Sequence, residues 1–154
     1  HTLDMEKEEQ MLQLLVVTPT QLCKCCLRDM YKRGSGKILN VASVGAFQPG
    51  PYTASYYASK SYLYQYSQAI RLEAKKQGVQ VCTLCPGSTR THFFEKTGAK
   101  TPIWAMSPER VAKEAWEGLN ADKAVVVPGM INRLLRLVPA QIKAYGVALL
   151  KKHT

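Results

Sequence analysis

The segment NVASVGAFQPGPYTASYYASK, residues 40–60, places a serine, two adjacent tyrosines and a lysine among small and apolar residues. Tyr56 and Lys60 are four residues apart at the start of a predicted helix, so both side chains leave the same helix face. A free phenol has a pKa of about 10, and a nearby ammonium group favours the phenolate. Together with the hydroxyl of Ser43, this pair predicts a tyrosine that gives and accepts protons.

The spacing of Tyr56 and Lys60 is not specific by itself, because a chain with 8 tyrosines and many lysines is expected to contain such a pair by chance. The surrounding elements therefore matter. Hydrophobic spacing predicts a helix over 5–33 that bends at Pro19, a strand over 37–43 that is buried on both faces, a helix over 55–78, a strand over 79–85, a helix that begins at Ser107 and a strand over 123–127. This order predicts an α/β fold with a parallel sheet.

Three motifs follow one another along these elements: NVAS at the end of the first strand, YYASK at the start of the next helix and PGSTRT after the second strand. From about residue 5 to about residue 130, the chain resembles the short-chain dehydrogenase/reductase family. The resemblance implies a partial Rossmann-like doubly wound parallel sheet over residues 1–130, the C-terminal half of the family's fold, with a basic amphipathic helical tail over 131–154. It also implies an oxidoreductase that transfers a hydride between NAD or NADP and a carbonyl or alcohol.

The resemblance assigns roles to individual residues. Tyr56 is implied as the catalytic acid or base, assisted by Lys60 and by the positive charge of an oxidised nicotinamide, while Ser43 holds the substrate oxygen. Tyr56 and Lys60 are also implied to contact the cofactor, with Lys60 bonded to the nicotinamide ribose. The other implied cofactor-binding residues follow the second strand and are Pro86, Gly87, Thr89 and Thr91. Gly87 allows close backbone approach to the nicotinamide, and Thr91 matches the hydroxyl that binds its carboxamide.

Two departures from the family pattern bear on activity. The family's catalytic asparagine, 28 residues before the serine, falls on Leu15. Pro19 has no N–H to donate to the carbonyl of Leu15, and we hypothesise that this carbonyl preserves the family's relay-water site. The family's glycine-rich turn for the cofactor pyrophosphate has no counterpart, since the nearest cluster, GSG at 34–36, precedes a strand. The chain by itself is therefore expected to bind NAD(P)H poorly and to be nearly inactive.

The five cysteines are an odd number without the spacing of a disulfide framework, which indicates a reducing, cytoplasmic environment. Two Cys-x-x-Cys pairs leave a zinc site as an alternative. Cys82 and Cys85 lie on a predicted strand, where an odd separation points the two thiols to opposite faces, so burial is favoured over metal binding. No run reaches the roughly 18 apolar residues of a membrane span, and no secretory leader precedes the first helix, so a soluble protein is expected.

The tail is strongly basic, in a chain whose net charge is +10. From residue 123 onwards there are six basic residues and no acidic one. The favoured interpretation is a helix pair that packs on the domain or on a second subunit, and binding to an anionic membrane is the alternative. Nucleic-acid binding is not expected, because no recognition motif accompanies the charge. The tail residues that carry the charge are Arg133, Arg136, Lys143, Lys151 and Lys152.

Two rival functions remain beside the oxidoreductase. The first is a non-catalytic remnant that acts as a subunit-interaction module, because the family's helices that match 5–33 and 56–77 commonly form a dimer interface; a homo-oligomer is therefore expected. The second is a peripheral membrane-binding protein that uses the tail. A small-molecule carbonyl or alcohol is the implied substrate, but residues 88–106 contain no group that is diagnostic of its identity.

Overall fold

A computed structural model describes residues 4–92 and 101–151. Its sheet has three strands among these residues, β1 (Gly36–Val41), β2 (Val79–Leu84) and β3 (Val125–Val126). The strands lie in the order β1-β2-β3 and are all parallel, with Gly36 opposite Val79 and Thr83 opposite Val125. The predicted α/β fold with a parallel sheet is confirmed, although β3 is shorter than the predicted strand over 123–127.

The helices lie before, between and after the strands, in the predicted order. They are α1 (Met5–Leu12), α2 (Thr18–Arg33), α3 (Ala54–Lys75), α4 (Pro108–Asn120), α5 (Met130–Leu135) and α6 (Ala140–Lys151). A π-helical segment, Gln13–Val17, joins α1 to α2, and a single 3-10 turn, Val44–Phe47, follows β1. Both segments matter because they lie directly beside the elements that carry the candidate site.

Capping residues explain where several helices begin and end. The Asp4 side chain accepts a hydrogen bond from the Glu6 amide at the start of α1. The Ser107 hydroxyl accepts from the Arg110 amide at the start of α4, as predicted. Gly34 ends α2 with φ of 66°, a left-handed conformation that glycine adopts without strain.

Helices cover both faces of the sheet. Val79 and Val81 of β2 pack against α2 and α3, in a cluster with Leu27 and Ile70. Cys82 and Leu84 point to the opposite face and pack against α4. Because successive strand side chains alternate between faces, this arrangement is a doubly wound sheet, as predicted.

The prediction that the first strand is buried on both faces is wrong. Only Asn40 of β1 is fully buried, whereas Lys37 is exposed and Val41 is 49% exposed. No other strand of the described residues pairs with the outer edge of β1, so this strand is an edge strand with one side open. β2, which has strands on both sides, is buried along almost its whole length.

The irregularity predicted at Pro19 is present as the π-helical segment just before it. Thr18 donates its backbone N–H to the Gln13 carbonyl, five residues earlier, and its hydroxyl donates to the same carbonyl. The Thr20 hydroxyl donates to the Val16 carbonyl at 2.7 Å. A wider helical turn and threonine hydroxyls therefore accommodate the proline, which has no N–H. The proposed water site at the Leu15 carbonyl stays a prediction.

Arg71 joins α3, β2 and the turn before β3. Its guanidinium donates to the Val81 carbonyl at 2.7 Å, to the Asp122 carboxylate at 2.8 Å and to the Asp122 carbonyl at 2.7 Å. The Arg71 side chain is only 13% exposed. The hydrogen bond from Arg71 lowers the pKa of the Asp122 carboxyl below its ordinary value.

The cysteines divide into buried and exposed groups. Cys82 packs on the α4 face, while Cys85 lies in a cluster with Val44, Phe47 and Tyr64, so the two thiols occupy opposite sides as predicted. Within the described ranges, no three His, Cys, Asp or Glu side chains come close enough to hold a metal ion. The buried cysteines are Cys23, Cys82 and Cys85, and the exposed ones are Cys25 and Cys26.

Three basic residues of the tail helices contact the domain. Arg133 donates to the Val127 carbonyl and pairs with Glu114, and Lys143 donates to the Phe47 carbonyl at 3.2 Å. The Arg136 guanidinium lies 4.8 Å from the centre of the Phe47 ring. Arg133 and Arg136 nevertheless stay exposed, and large apolar side chains are exposed beside them. The exposed ones are Ile131, Leu134, Leu135, Leu137, Ile142, Tyr145 and Leu149.

No helix of the described residues is long and apolar enough to cross a membrane.

Candidate active site

The candidate site begins where β1 and β2 end. The two chains remain paired beyond the strands, because the Ala42 amide donates to the Leu84 carbonyl at 2.8 Å and the Val44 amide donates to the Pro86 carbonyl at 3.0 Å. The backbone N–H of Ser43 bonds to the Cys85 thiol between these two contacts. This pairing places Ser43 next to the turn that starts at Pro86, at the carboxyl edge of the parallel sheet, where α/β proteins bind their ligands.

The first turns of α3 bring Tyr56 and Lys60 to the same edge. The phenol of Tyr56 is hydrogen-bonded to the Ser43 side chain. Lys60 places its Nζ 5.9 Å from the centre of the Tyr56 ring and donates from Nζ to the Val41 carbonyl at 3.0 Å. The serine, tyrosine and lysine predicted from the sequence are therefore brought together by a strand end and one helix face.

The electrostatics of the trio differ from the expectation. Burial is the larger influence on Tyr56 and raises the pKa of its phenol, while the hydrogen bond from Ser43 lowers it in part. Lys60 lies over the ring and bonds to a carbonyl rather than to the phenol oxygen. Desolvation also lowers the pKa of Lys60. In the chain by itself, burial therefore outweighs the influence of the ammonium group on the pKa of Tyr56. The predicted lowering, which also involved the charge of an oxidised nicotinamide, stays a prediction.

Tyr57, the neighbour of Tyr56, packs against a glycine-rich loop. A Cβ at Gly50 would lie 2.1 Å from the Tyr57 ring, and one at Gly45 would lie 3.2 Å from it. The rings of Tyr56 and Tyr57 meet edge to face with centroids 5.8 Å apart. The glycines at 45 and 50 thus leave room for the Tyr57 ring, which supports one side of Tyr56.

The tyrosines farther along α3 pack against aromatic side chains and against α2. Tyr64 meets Phe47 edge to face at 5.1 Å, and Tyr66 stacks on Tyr62 at 5.8 Å. The hydroxyl of Tyr62 lies 3.0 Å from that of Thr20, so this stack contacts α2. Of the three, only Tyr62 is largely exposed.

Two hydrogen bonds orient the residues around Ser43 and Tyr56. The Ser43 hydroxyl accepts from the Gly45 amide at 3.1 Å, which caps the 3-10 turn. Ser55, directly before Tyr56, donates its hydroxyl to the Glu8 carboxylate of α1. The start of α3 is thus tied to α1 as well as to β1.

The residues after β2 form the wall next to the trio. The Thr89 hydroxyl donates to the Gly87 carbonyl at 3.0 Å, and the segment pairs with Met106 through two backbone hydrogen bonds. Pro86, Thr89 and Thr91 line an apolar hollow of about 430 Å³ between the open side of the sheet and α4. The other lining residues are Leu39, Val41, Leu84, Pro108, Val111, Ala112, Ala115 and Trp116.

Comparison with known proteins decides the family. The family model described as short chain dehydrogenase matches residues 1–102, about two thirds of the chain. The chain belongs to the short-chain dehydrogenase/reductase family. The short-chain dehydrogenases are NAD(P)-dependent oxidoreductases, and the arrangement of Ser43, Tyr56 and Lys60 lies at the motif positions that suggested the family.

Individual short-chain dehydrogenases resemble the chain over most of its length. It is 29% identical over 133 residues to 7beta-hydroxysteroid dehydrogenase from Clostridium sardiniense, covering 84% of the chain and 51% of that protein. It is 33% identical over 116 residues to 17-beta-hydroxysteroid dehydrogenase 13 from Mus musculus, covering 72% of the chain and 38% of that protein. The chain spans about half, or less, of the length of these curated relatives.

A solved structure confirms the fold of this family. The short-chain dehydrogenase from Sphingobium yanoikuyae, in complex with NADPH, matches with a TM-score of 0.79 and 25% sequence identity. The match covers 96% of the chain and 56% of that structure. The chain therefore has the fold of one part of a short-chain dehydrogenase.

The described residues fit only one end of a dinucleotide. Lys60, Pro86 and Thr91 stand near the trio, at the carboxyl edge, where they could hold a nicotinamide and its ribose. The glycine cluster at 34–36 instead ends α2 and begins β1, at the amino edge of the sheet. At the carboxyl edge, the glycine-rich loop from β1 to α3 is filled by the Tyr57 ring beside Gly45 and Gly50, so among the described residues it leaves no open turn for a pyrophosphate.

Three contacts of this site were not foreseen in the sequence. The first is the hydrogen bond from Ser55 to Glu8, and the second is the hydrogen bond from the Ser43 backbone to the Cys85 thiol. The third is the packing of Asn132 against Gly87, where a Cβ would lie 2.5 Å from the Asn132 carboxamide. Each joins residues far apart in the chain, and no local spacing identifies such a pair. The proline-glycine pair at 128–129 was a signal for the third contact, because it marks a second chain turn at the same sheet edge.

Proposed function

We propose that the chain carries the catalytic half of an NAD(P)-dependent carbonyl reductase or alcohol dehydrogenase. The observation that carries this proposal is the hydrogen bond between Ser43 and Tyr56 with the Lys60 Nζ beside the ring. In the proposed reaction, bound NAD(P) supplies or takes the hydride. Tyr56 gives the proton to the carbonyl oxygen, or takes it from the alcohol, and Ser43 holds that oxygen as charge develops.

Each residue of the trio has a distinct task in this proposal. Burial keeps the phenol of Tyr56 protonated at neutral pH, which suits a proton donor in the direction of carbonyl reduction. The Ser43 hydroxyl, held by the Gly45 amide, has a fixed direction toward Tyr56. Lys60 orients the nicotinamide ribose, and its positive charge assists Tyr56 once the proton has left.

A substitution of Tyr56 tests the proposal, with Tyr57 as the matched control. In the longest natural form of the protein, Tyr56→Phe keeps the ring and removes only the hydroxyl, so turnover of a carbonyl panel with NADPH and NADH should be nearly abolished while cofactor affinity changes little. Tyr57→Phe should retain most of the activity, because the Tyr57 ring supports Tyr56 by packing. Retention of more than about a tenth of the turnover by Tyr56→Phe would reject the assignment.

The proposal extends to cofactor affinity. The chain by itself offers residues for the nicotinamide end only, and each missing charge-assisted phosphate contact is worth roughly 1.5–3 kcal/mol. Affinity for NADH or NADPH should therefore be weaker by about three or more powers of ten than for a complete dinucleotide site, which means about millimolar. Calorimetric titration measures this, and micromolar binding by the chain alone would contradict it.

A second candidate function is a subunit-interaction module. Three exposed leucines on α1, the π-helical segment and α2 (Leu12, Leu14 and Leu22) and the open edge of β1 favour contact with another protein chain. The same features favour a homo-oligomer as the assembled state, while the cytoplasmic location expected from the cysteines stays a prediction. Size-exclusion chromatography of the chain mixed with a full-length short-chain dehydrogenase tests the module, while light scattering of the chain alone tests self-association through β1.

Membrane contact through residues 131–154 is a further alternative, supported by the outward apolar side chains of α5 and α6. Since Arg133, Arg136 and Lys143 contact the domain, such binding would depend on apolar contact as well as on charge. Co-sedimentation with anionic liposomes at two salt concentrations tests this. Absence of binding at both would leave packing on the domain or on a second subunit, which was the favoured interpretation of the sequence. The domain division at residue 130 also stays a prediction.

A further inference from the structure

Asn132, in the first turn of α5, faces the carboxyl edge of the sheet. Its Nδ2 donates to the Pro128 carbonyl at 2.7 Å and lies 3.9 Å from the Met106 sulfur. The residue is half-buried. A hydrogen bond four residues back along the chain therefore fixes the orientation of its carboxamide.

The Asn132 carboxamide lies against Gly87. A Cβ built on Gly87 would lie 2.5 Å from Oδ1, 2.6 Å from Nδ2 and 2.8 Å from Cγ of Asn132. Gly87 is not among the glycines with positive φ. Its backbone conformation would therefore allow another residue type. Glycine is required here because the Asn132 carboxamide occupies the space that a Cβ would need.

The same contacts include the segment around Met106. The Met106 amide donates to the Ser88 carbonyl at 2.9 Å, and the Met106 carbonyl accepts from the Arg90 amide at 2.9 Å. A Cβ at Gly129 would lie 2.9 Å from the Met106 sulfur. Gly87, Met106, Gly129 and Asn132 thus form one packed group, which we call the Asn132 cluster, where three chain segments meet.

We propose that Asn132 is a positioning residue that fixes the Pro86–Gly87 turn for the nicotinamide end of the cofactor. This inference rests on the proposed function, which places that end of the cofactor at the turn. Asn132 acts through the Gly87 backbone and not by contact with the reacting atoms. Asparagine suits the task because its flat carboxamide lies against a Cα without a side chain, while its N–H₂ group holds the orientation through Pro128.

Asn132→Asp tests the proposal, since aspartate has the same shape but cannot donate to the Pro128 carbonyl. The ¹⁵N NMR spectrum of the full chain is titrated with NADPH, and affinity is read from shifts of the folded protein only. We expect affinity about fivefold weaker than wild type, the equivalent of one net hydrogen bond of about 1 kcal/mol. We also expect at least about fivefold faster hydrogen exchange at the Gly87 amide. Asn120→Asp is the control, because Asn120 is exposed and bonds only to Lys37 in the part described.

A second pair of variants separates positioning from general stability. Gly87→Ala should weaken NADPH binding strongly in the wild-type background and less in an Asn132→Ala background, where the methyl group has room. Equal effects in the two backgrounds would overturn the proposal, as would Asn132→Asp binding NADPH within about twofold of wild type. If about 10 mM NADPH causes no NMR shift changes in the wild-type chain, the proposed function fails. The positioning role is tested separately by hydrogen exchange, and an unchanged exchange rate of the Gly87 amide in Asn132→Asp would overturn it.

Discussion

Replacing Lys60 with methionine is expected to stabilise the chain while removing the proposed activity. Methionine is unbranched like lysine and keeps an apolar stem one atom shorter, but it has no ammonium group. The Lys60 Nζ donates to the Val41 carbonyl, yet desolvation lowers the pKa of Lys60 below its ordinary 10.5. A lowered pKa means that the fold disfavours the charged form, so the bond to Val41 does not offset the loss of hydration.

The size of the gain follows from this balance. Each unit of pKa depression corresponds to about 1.4 kcal/mol between the charged and neutral forms. Lys60 stays partly open to solvent, and the variant loses one hydrogen bond, so we expect a net gain of about 1 kcal/mol in the free energy of unfolding near neutral pH. For a chain of this size, that gain raises Tm by about 3 °C.

The pH dependence gives an independent check. The folded pKa of Lys60 lies below the unfolded value of 10.5, so the penalty for the charge is complete below the folded pKa and disappears as the pH rises toward 10.5. The advantage of Lys60→Met over wild type should therefore be largest at neutral pH and should shrink in alkaline buffer.

Urea unfolding followed by circular dichroism at neutral and alkaline pH measures both effects. Lys113→Met is the matched control, because Lys113 is exposed on α4, and its free energy of unfolding should stay within about 0.5 kcal/mol of wild type. The reasoning is refuted if Lys60→Met is less stable than wild type at neutral pH, or if its advantage is unchanged in alkaline buffer. A gain would identify Lys60 as a residue retained at the expense of stability, as expected in a functional site.

Three further changes probe other parts of the structure. Arg71→Met should lower the free energy of unfolding by about 2–3 kcal/mol, against less than about 0.5 kcal/mol for the exposed Arg28→Met. The difference should shrink in acid, where Asp122 becomes protonated below its ordinary pKa of 3.8 because its pKa is lowered. Equal losses for the two variants in urea unfolding would contradict this. Tyr52→Asn should raise the free energy of unfolding by about 0.5–1 kcal/mol, since Tyr52 is exposed at φ of 66°, which asparagine tolerates better; an unchanged or lower urea midpoint would count against strain there. A thiol reagent should label two cysteines in the native chain and all five after denaturation, and a third rapidly labelled native thiol would mean that the packing is wrong.

The parts of the fold that the sequence predicted are those set by neighbouring residues. Ser107 and Pro108 start α4, and Gly34 ends α2, because capping and left-handed geometry depend on one or two residues. The trio was predicted for the same reason, since Tyr56 and Lys60 share one helix face. Ser43 required the motif order as well, because only the sheet brings a strand end beside the start of α3.

The parts that sequence reasoning missed depend on burial, which sums contacts from distant segments. The composition of β1 is that of a central strand, but its outer edge meets no other strand of the described residues, and Val41 is therefore half open to solvent. The pKa of Tyr56 depends on the same quantity. Spacing placed an ammonium group near the phenol, but it could not indicate that desolvation would be the larger influence.

The tail illustrates why periodicity did not predict orientation. Helical spacing identified separate apolar and basic positions, but it could not indicate which of them contact the domain. Carbonyl groups at the end of β3 and in the 3-10 turn, however, need hydrogen-bond donors, and Arg133 and Lys143 supply them. Long cationic side chains that extend toward the domain leave the shorter apolar ones outside. The surface that α5 and α6 offer to a subunit or a membrane therefore combines large apolar side chains with Arg133 and Arg136, and a partner should be tested for apolar contact as well as for charge.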